Sequence, residues 1–302
     1  MAMMSAFGMG SHEPQVPCLI CEMPNGLDAV VCAECSAPMS LVVDTAAQGR
    51  QHQIISVLGE SNVGKTVYLG FLLDMLSQRA KGFEAIPKGA YSVDLQQNVV
   101  ASMTGRAFPP KTAMEPDRWN WAYYQARKGD GRKAKWYDLV MPDMAGESLA
   151  AEIASPATFR IIRSLLQKSS GALLLVDAAL AANGASRPDF FALKMMSYID
   201  ALIQTKREQK VRTPIAVVLC KSDHCPECFD DSRQFVKANL NRLWNLCESR
   251  FETVEYFACS AVGSLAYATG KDEDGSDYVR PVPLHTSLQG VLEPFEWLIS
   301  KI

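Results

Sequence analysis

The chain has 302 residues, 48% of them hydrophobic, enough to bury one large core or two smaller ones. A net charge of −3 gives no basic excess, so nucleic acid is not an expected partner. No run of eighteen apolar residues occurs, so no membrane span is expected, and the first ten residues lack the Lys or Arg of a secretory signal.

Residues 1–17, punctuated by Gly, Ser and Pro, read as a disordered tail. Residues 18–44 hold four of the nine cysteines as two tight pairs, and a polar connector, Thr45 to His52, follows. From residue 53 to 302, apolar strand-like runs alternate with helical ones, the pattern of an α/β domain with a mostly parallel sheet. Gln53–Leu58 is a short β-branched strand, and Lys65–Arg79 carries the apolar spacing of a buried helix. Residues 83–112 are irregular by pattern, apart from a helix expected over Val93–Met103. Residues 118–126 place Trp119, Trp121 and Tyr123 on one face of a strand; Lys128–Arg132 makes a turn, and Trp136–Met141 returns as the second arm of an antiparallel hairpin.

Gly171–Asp177, Pro214–Leu219 and Val254–Ala258 are wholly or largely apolar, as buried parallel strands should be. Helices are expected at about 156–168, 188–207 and 231–249. A closing helix from Thr286 aligns Leu288, Val291, Leu292, Phe295 and Leu298, while Gly263–His285 reads as a long solvated loop with an acidic run at Asp272–Asp277. These elements make a six-stranded sheet with one antiparallel edge hairpin and helices on both faces.

Cys18-x2-Cys21 and Cys32-x2-Cys35, ten residues apart, have knuckle spacing: each pair bends to bring two thiolates onto one ion. Four protein ligands make a closed, structural Zn²⁺ site, and so short a segment has too little core to fold without metal. Such a ribbon, with few basic residues, is expected to touch proteins. Cys225-x2-Cys228 is a third pair, with a second metal shared with Cys247 or free thiols as its two readings. Cysteines of this kind in a chain without an export signal point to the cytoplasm.

Gly59, Glu60, Ser61, Asn62, Val63, Gly64, Lys65 and Thr66 fit G-x-x-x-x-G-K-[ST] between an expected strand and an expected helix, which Val67 continues. Glycines let the backbone curl so that successive amides face phosphate oxygens, and the helix N-terminus adds its positive end. Lys65 would neutralise the β- and γ-phosphates, and Thr66 would place a hydroxyl on Mg²⁺. This loop alone leaves ATP and GTP open.

Three further segments end strands, where ligand loops of open α/β sheets belong. Asp143-Met-Ala-Gly146 resembles the D-x-x-G element of Ras-like GTPases; Leu219-Cys220-Lys221-Ser222-Asp223 resembles their N-K-x-D, with Cys for Asn; Cys259-Ser260-Ala261 resembles their S-A-K, with Val262 for Lys. Residues 53–302 are thus similar to a Ras-like P-loop GTPase domain. More narrowly, Pro109-Pro-Lys-Thr112, the long insert before it and Pro294-Phe-Glu-Trp-Leu298 resemble the bacterial double-GTPase families assigned to conflict systems.

The resemblance implies that Asp143 holds Mg²⁺ through water and that the Gly146 amide senses the γ-phosphate. The Asp223 carboxylate would accept from guanine N1–H and its 2-amino group, the Lys221 stem would pack on the base, and the Ala261 amide would meet guanine O6. Adenine would leave Asp223 unpaired, a penalty of about 1–3 kcal/mol. A switch threonine is expected on Mg²⁺, Thr112 first and Thr104 second. Glu147 stands where Ras-like enzymes commonly orient water with Gln. The resulting expectation is a Mg²⁺-dependent GTP/GDP switch with slow intrinsic hydrolysis, stimulated by an activating or effector protein or a second GTPase. A nucleotide-holding scaffold and an ATPase are the alternatives.

Overall fold

A computed structural model describes residues 14–48, 53–110, 121–128, 136–142, 146–203, 209–271 and 277–302. Thr112, Trp119, Asp143, most of the Lys128–Arg132 turn and all but the last residue of the acidic run therefore lie outside the described residues.

The N-terminal module is β1 (Gln15–Pro17) paired antiparallel with β2 (Pro24–Gly26), followed by α1 (Ser40–Gln48). The expected tail thus already contributes a strand. Each C-x-x-C is closed by a tight turn: the Glu22 amide donates to the Cys18 carbonyl at 3.0 Å and the Ser36 amide to that of Cys32 at 2.9 Å. Cys18 and Cys35 sulfurs lie 3.6 Å apart, Cys21 and Cys32 sulfurs 3.5 Å, and all four fall within 4.8 Å of one another. Zn–S bonds of about 2.3 Å in a tetrahedron set sulfurs about 3.8 Å apart, so the cluster fits the ion. The Cys35 thiol's hydrogen bond pulls Cys18 down to about 5, whereas burial pushes Cys21 up to about 11. Burial works against ionising such closely packed thiols, and a divalent cation is what would let them ionise together.

The main sheet runs β4-β5-β6-β3-β7-β8-β9. Its strands are β3 (Ile54–Gly59), β4 (Phe83–Lys88), β5 (Trp121–Lys128), β6 (Trp136–Pro142), β7 (Ser169–Asp177), β8 (Ile215–Cys220) and β9 (Val254–Ala258). Pairing is parallel from β6 through β9 and antiparallel at β4–β5–β6. The α/β class holds, with one strand more than expected. β4 escapes pattern reading because Phe-Glu-Ala-Ile-Pro-Lys carries a proline and two charges, tolerable only on an edge.

Helices cover both faces. Along β3, Ile54 and Leu58 face one core and Ile55 and Val57 the other, as a two-residue period requires. The second core is roofed by α2 (Lys65–Ser77), α3 (Ala90–Thr104) and α11 (Glu293–Ile299). The first is covered by α4 (Gly146–Ala154), α5 (Arg160–Lys168), α7 (Ser186–Ile203), α9 (Ser232–Asn239) and α10 (Asn241–Arg250); α6 (Ala178–Ala182) and α8 (Glu227–Asp230) are short. The 156–168 helix is shorter than expected and preceded by α4. Glu152, fully buried, accepts from the amides of Ala157 at 2.9 Å and Phe159 at 2.6 Å and from the Tyr198 hydroxyl. The 188–207 expectation corresponds to α7, with α6 before it. The 231–249 helix breaks at Leu240.

The largest correction concerns the expected loop Gly263–His285. It is a hairpin of β10 (Ser260–Lys271) and β11 (Asp277–Gln289), and Thr286–Gln289 is strand rather than helix. Leu288 is 36% exposed, while Val291, Leu292, Phe295 and Leu298 are buried, so its helical spacing is coincidental. Gly290, at φ 65°, makes the break; a Cβ there would lie 1.8 Å from the Ala258 carbonyl oxygen. No helix among the described residues is long and apolar enough to cross a membrane.

The cysteine module is not a detached appendage. Ile20, Met39 and Leu41 join the first core, the Trp121 indole donates to the Cys35 carbonyl at 2.7 Å, and Lys168 donates to the Leu19 carbonyl at 2.8 Å. Intact protein should carry about one zinc per chain, and stripping it under reducing conditions should lower the melting temperature by about 5 °C or more. An unchanged melt after complete stripping would reduce the cluster to four ordinary thiols. Trp121→Phe leaves a buried carbonyl unpaired and should cost about 1–2 kcal/mol, read from the denaturant midpoint.

Candidate functional site

The apolar strand β3 ends at Gly59 and the chain turns through Glu60–Gly64 into α2. The Lys65 ammonium lies back across this turn, donating to the carbonyls of Gly59 at 2.9 Å and Glu60 at 3.0 Å. That span holds the loop as an arch over the helix N-terminus, with Val63 buried beneath it. Glu60 turns outward and pairs with Arg187 at the start of α7.

Gly146 opens α4 hard against this arch. A Cβ on it would fall 2.0 Å from the Ser61 nitrogen, so only glycine fits. Glu147 accepts a hydrogen bond from the Ser61 hydroxyl at 2.5 Å, which joins the two segments across the cavity end.

At the other end, the turn after β8 is fixed to the end of β9. The Ser222 amide donates to the Cys259 carbonyl at 3.1 Å, and the Ser222 hydroxyl to the Leu219 carbonyl at 2.7 Å. Asp223 accepts from the Ser260 hydroxyl at 2.9 Å, and His224 stands 3.4 Å from its second oxygen. Lys221, at φ 63°, donates to Asp177 at 2.5 Å; Asp177 also caps α6 through the Leu180 amide at 2.9 Å. Cys220, opposite Asp177 in register, is buried, and burial pushes its thiol up to about 12.

These two ends line one cavity of about 870 Å³. Of the expected site residues, Ser61, Asn62, Val63, Gly64, Lys65, Thr66, Val67, Gly146, Glu147, Cys220, Lys221, Asp223 and Ala261 line it. Gly59, Glu60 and Ser260 stand just behind, bonded to Lys65 or Asp223. Thr104 ends α3 on the surface and is not among the lining residues, whereas Arg106 to Pro110 are.

Sequence reasoning missed Asp177 and the hairpin wall. A strand ending in Asp at the same sheet edge as the other motifs was the available signal for the first. Cys225 and Cys228 are buried with sulfurs 3.4 Å apart. Among the described residues, only the four N-terminal cysteines group three or more ligating side chains around one ion position.

The family model Double-GTPase 1 matches residues 56–222. No curated protein matches. Among solved structures, the signal recognition particle receptor SRb-GTP/SRX complex from Chaetomium thermophilum is 13% identical, with 71% of this chain and 93% of that one covered and a TM-score of 0.39. The S. cerevisiae Ski7 GTPase-like domain, bound to GDP and inorganic phosphate, is 15% identical over 72% of this chain and 45% of that one, TM-score 0.39. Methanosarcina barkeri Roco2 RocCORdC bound to GDP is 16% identical over 70% and 44%, TM-score 0.33. The family match spans more than half of the 302 residues and takes in the Lys65 arch and the strand that ends at Cys220, so the chain belongs to the Double-GTPase 1 family of GTP-binding P-loop GTPases.

Proposed function

We propose that the chain is a Mg²⁺-dependent guanine-nucleotide switch, which holds GTP between the Gly59–Thr66 arch and the Asp223 turn and hydrolyses it slowly. The single observation that carries this reading is that both ends line the same cavity. In it, the arch amides and Lys65 hold the β- and γ-phosphates. Thr66, Thr112 and Asp143 are the residues that would hold Mg²⁺, which supplies charge neutralisation at the phosphates.

At the base end, Ser260 fixes one oxygen of Asp223 and leaves the carboxylate oriented to accept from guanine. Asp177 anchors the ammonium of Lys221, so its stem lies ready to cover the base. Asp223→Asn should weaken GTP binding roughly 10- to 100-fold and improve binding of xanthosine triphosphate, whose second carbonyl accepts from an amide. Equal affinities in wild type and variant would show that Asp223 does not read the base. Preference for ATP in direct competition would replace the guanine reading with an ATPase.

Hydrolysis adds water to the γ-phosphorus and releases GDP and inorganic phosphate. Glu147 sits at the phosphate end with a carboxylate, which accepts from water but cannot donate to the phosphate and repels its charge. Intrinsic turnover is therefore slow, and an activating or effector protein, a second GTPase being one candidate, supplies what the site lacks. Glu147→Gln removes the repulsion and should raise the single-turnover rate on the order of tenfold. A rate at the uncatalysed background in both proteins, with every partner tried, would leave a nucleotide-holding scaffold. None of the nine cysteines forms a disulfide, which suits a reducing compartment, and we place the protein in the cytoplasm.

A further inference from the structure

The β10–β11 hairpin leaves the sheet at Ser260, the residue that fixes Asp223, and returns at Gln289, its partner across the ladder. It packs against three elements: the Ser222–His224 turn at the base end, α2 behind the phosphate arch, and α3. Its exit is tied down where the Tyr68 hydroxyl of α2 donates to the Val291 carbonyl at 3.0 Å. The hairpin therefore bridges both ends of the nucleotide cavity.

Leu265, Tyr267, Pro281 and Val282 line that cavity, and Tyr267 stands directly opposite Pro281 in the ladder. Leu265 is half-buried against the second core, while Tyr267 is 66% exposed, at the mouth. The arch offers amides to phosphates and the Asp223 turn offers a carboxylate to a base edge. Beyond the Lys221 stem, these two ends offer little apolar surface to a purine and its sugar, and the hairpin supplies it.

We infer that the β10–β11 hairpin is a roof over the bound guanine nucleotide, with Leu265 and Tyr267, which share one face of the hairpin, as the residues that set its dissociation rate. This rests on the guanine-nucleotide reading above. On this assignment the hairpin governs how long the nucleotide stays bound.

The test is a chase experiment: protein loaded with tritiated GDP and Mg²⁺ is diluted into excess unlabelled GDP, and retained label is followed on filters. Leu265→Ser and Tyr267→Ala should each speed dissociation about tenfold, from lost apolar contact. Val279→Ser, at a 67% exposed hairpin residue that is not among the cavity-lining ones, should leave the rate within about twofold. Tyr267→Ala, with most of its side chain in solvent, keeps the test open should Leu265→Ser fail to fold. Rates within twofold of wild type in every folded variant would overturn the roof while the guanine reading stands. Wild-type protein that retains no GDP would instead remove the guanine reading, and the roof with it.

Discussion

The shape of the cavity depends on Lys65 reaching back over its own loop. Its ammonium bonds the carbonyls of Gly59 and Glu60, which ties the end of β3 to the first turn of α2 and keeps the intervening residues arched. A lysine with its charge so engaged stands between backbone oxygens and the position of an anionic ligand. β3 itself cannot shift to relieve the arrangement, since all six of its residues are buried between β6 and β7.

The other segments are placed by reference to that arch. Gly146 is admitted only because it has no side chain, which brings the start of α4 into van der Waals contact with Ser61. The second end of the cavity is built differently, from strand ends cross-linked by backbone hydrogen bonds. Family members of the Ras-like kind use an asparagine near position 220; here Cys220 is a buried packing residue, and the fixing of Lys221 falls to Asp177 on the neighbouring strand.

Much of this was legible along the chain because the parallel strands are continuous apolar runs and the phosphate loop has a fixed spacing. What could not be read depends on pairing at a distance. β4 has no strand-like composition and exists because β5 offers it a free edge. Asp274-Gly275 is a turn signal, but Pro281 and Pro283 argue against a strand in the second arm, and Leu288 happens to fall in helical phase with the true helix α11. The cysteine spacing announced a metal site but not its orientation: Ile20, Met39 and Leu41 face inward, so the module completes the first core instead of standing apart from it. Of the three expected Mg²⁺ ligands, Thr66 lines the cavity, while Thr112 and Asp143 lie outside the described residues.

Glu152 gives α4 an asymmetric attachment. Its carboxylate is held by two amides beyond the helix end and by Tyr198 of α7, deep in the first core. Glu147 lies five residues earlier, about 7.5 Å along the axis, where one serine hydroxyl meets it. The helix is thus held at its far end by a buried carboxylate in the first core and at its near end by close packing of Gly146 on the phosphate arch, so α4 couples that arch to the interior.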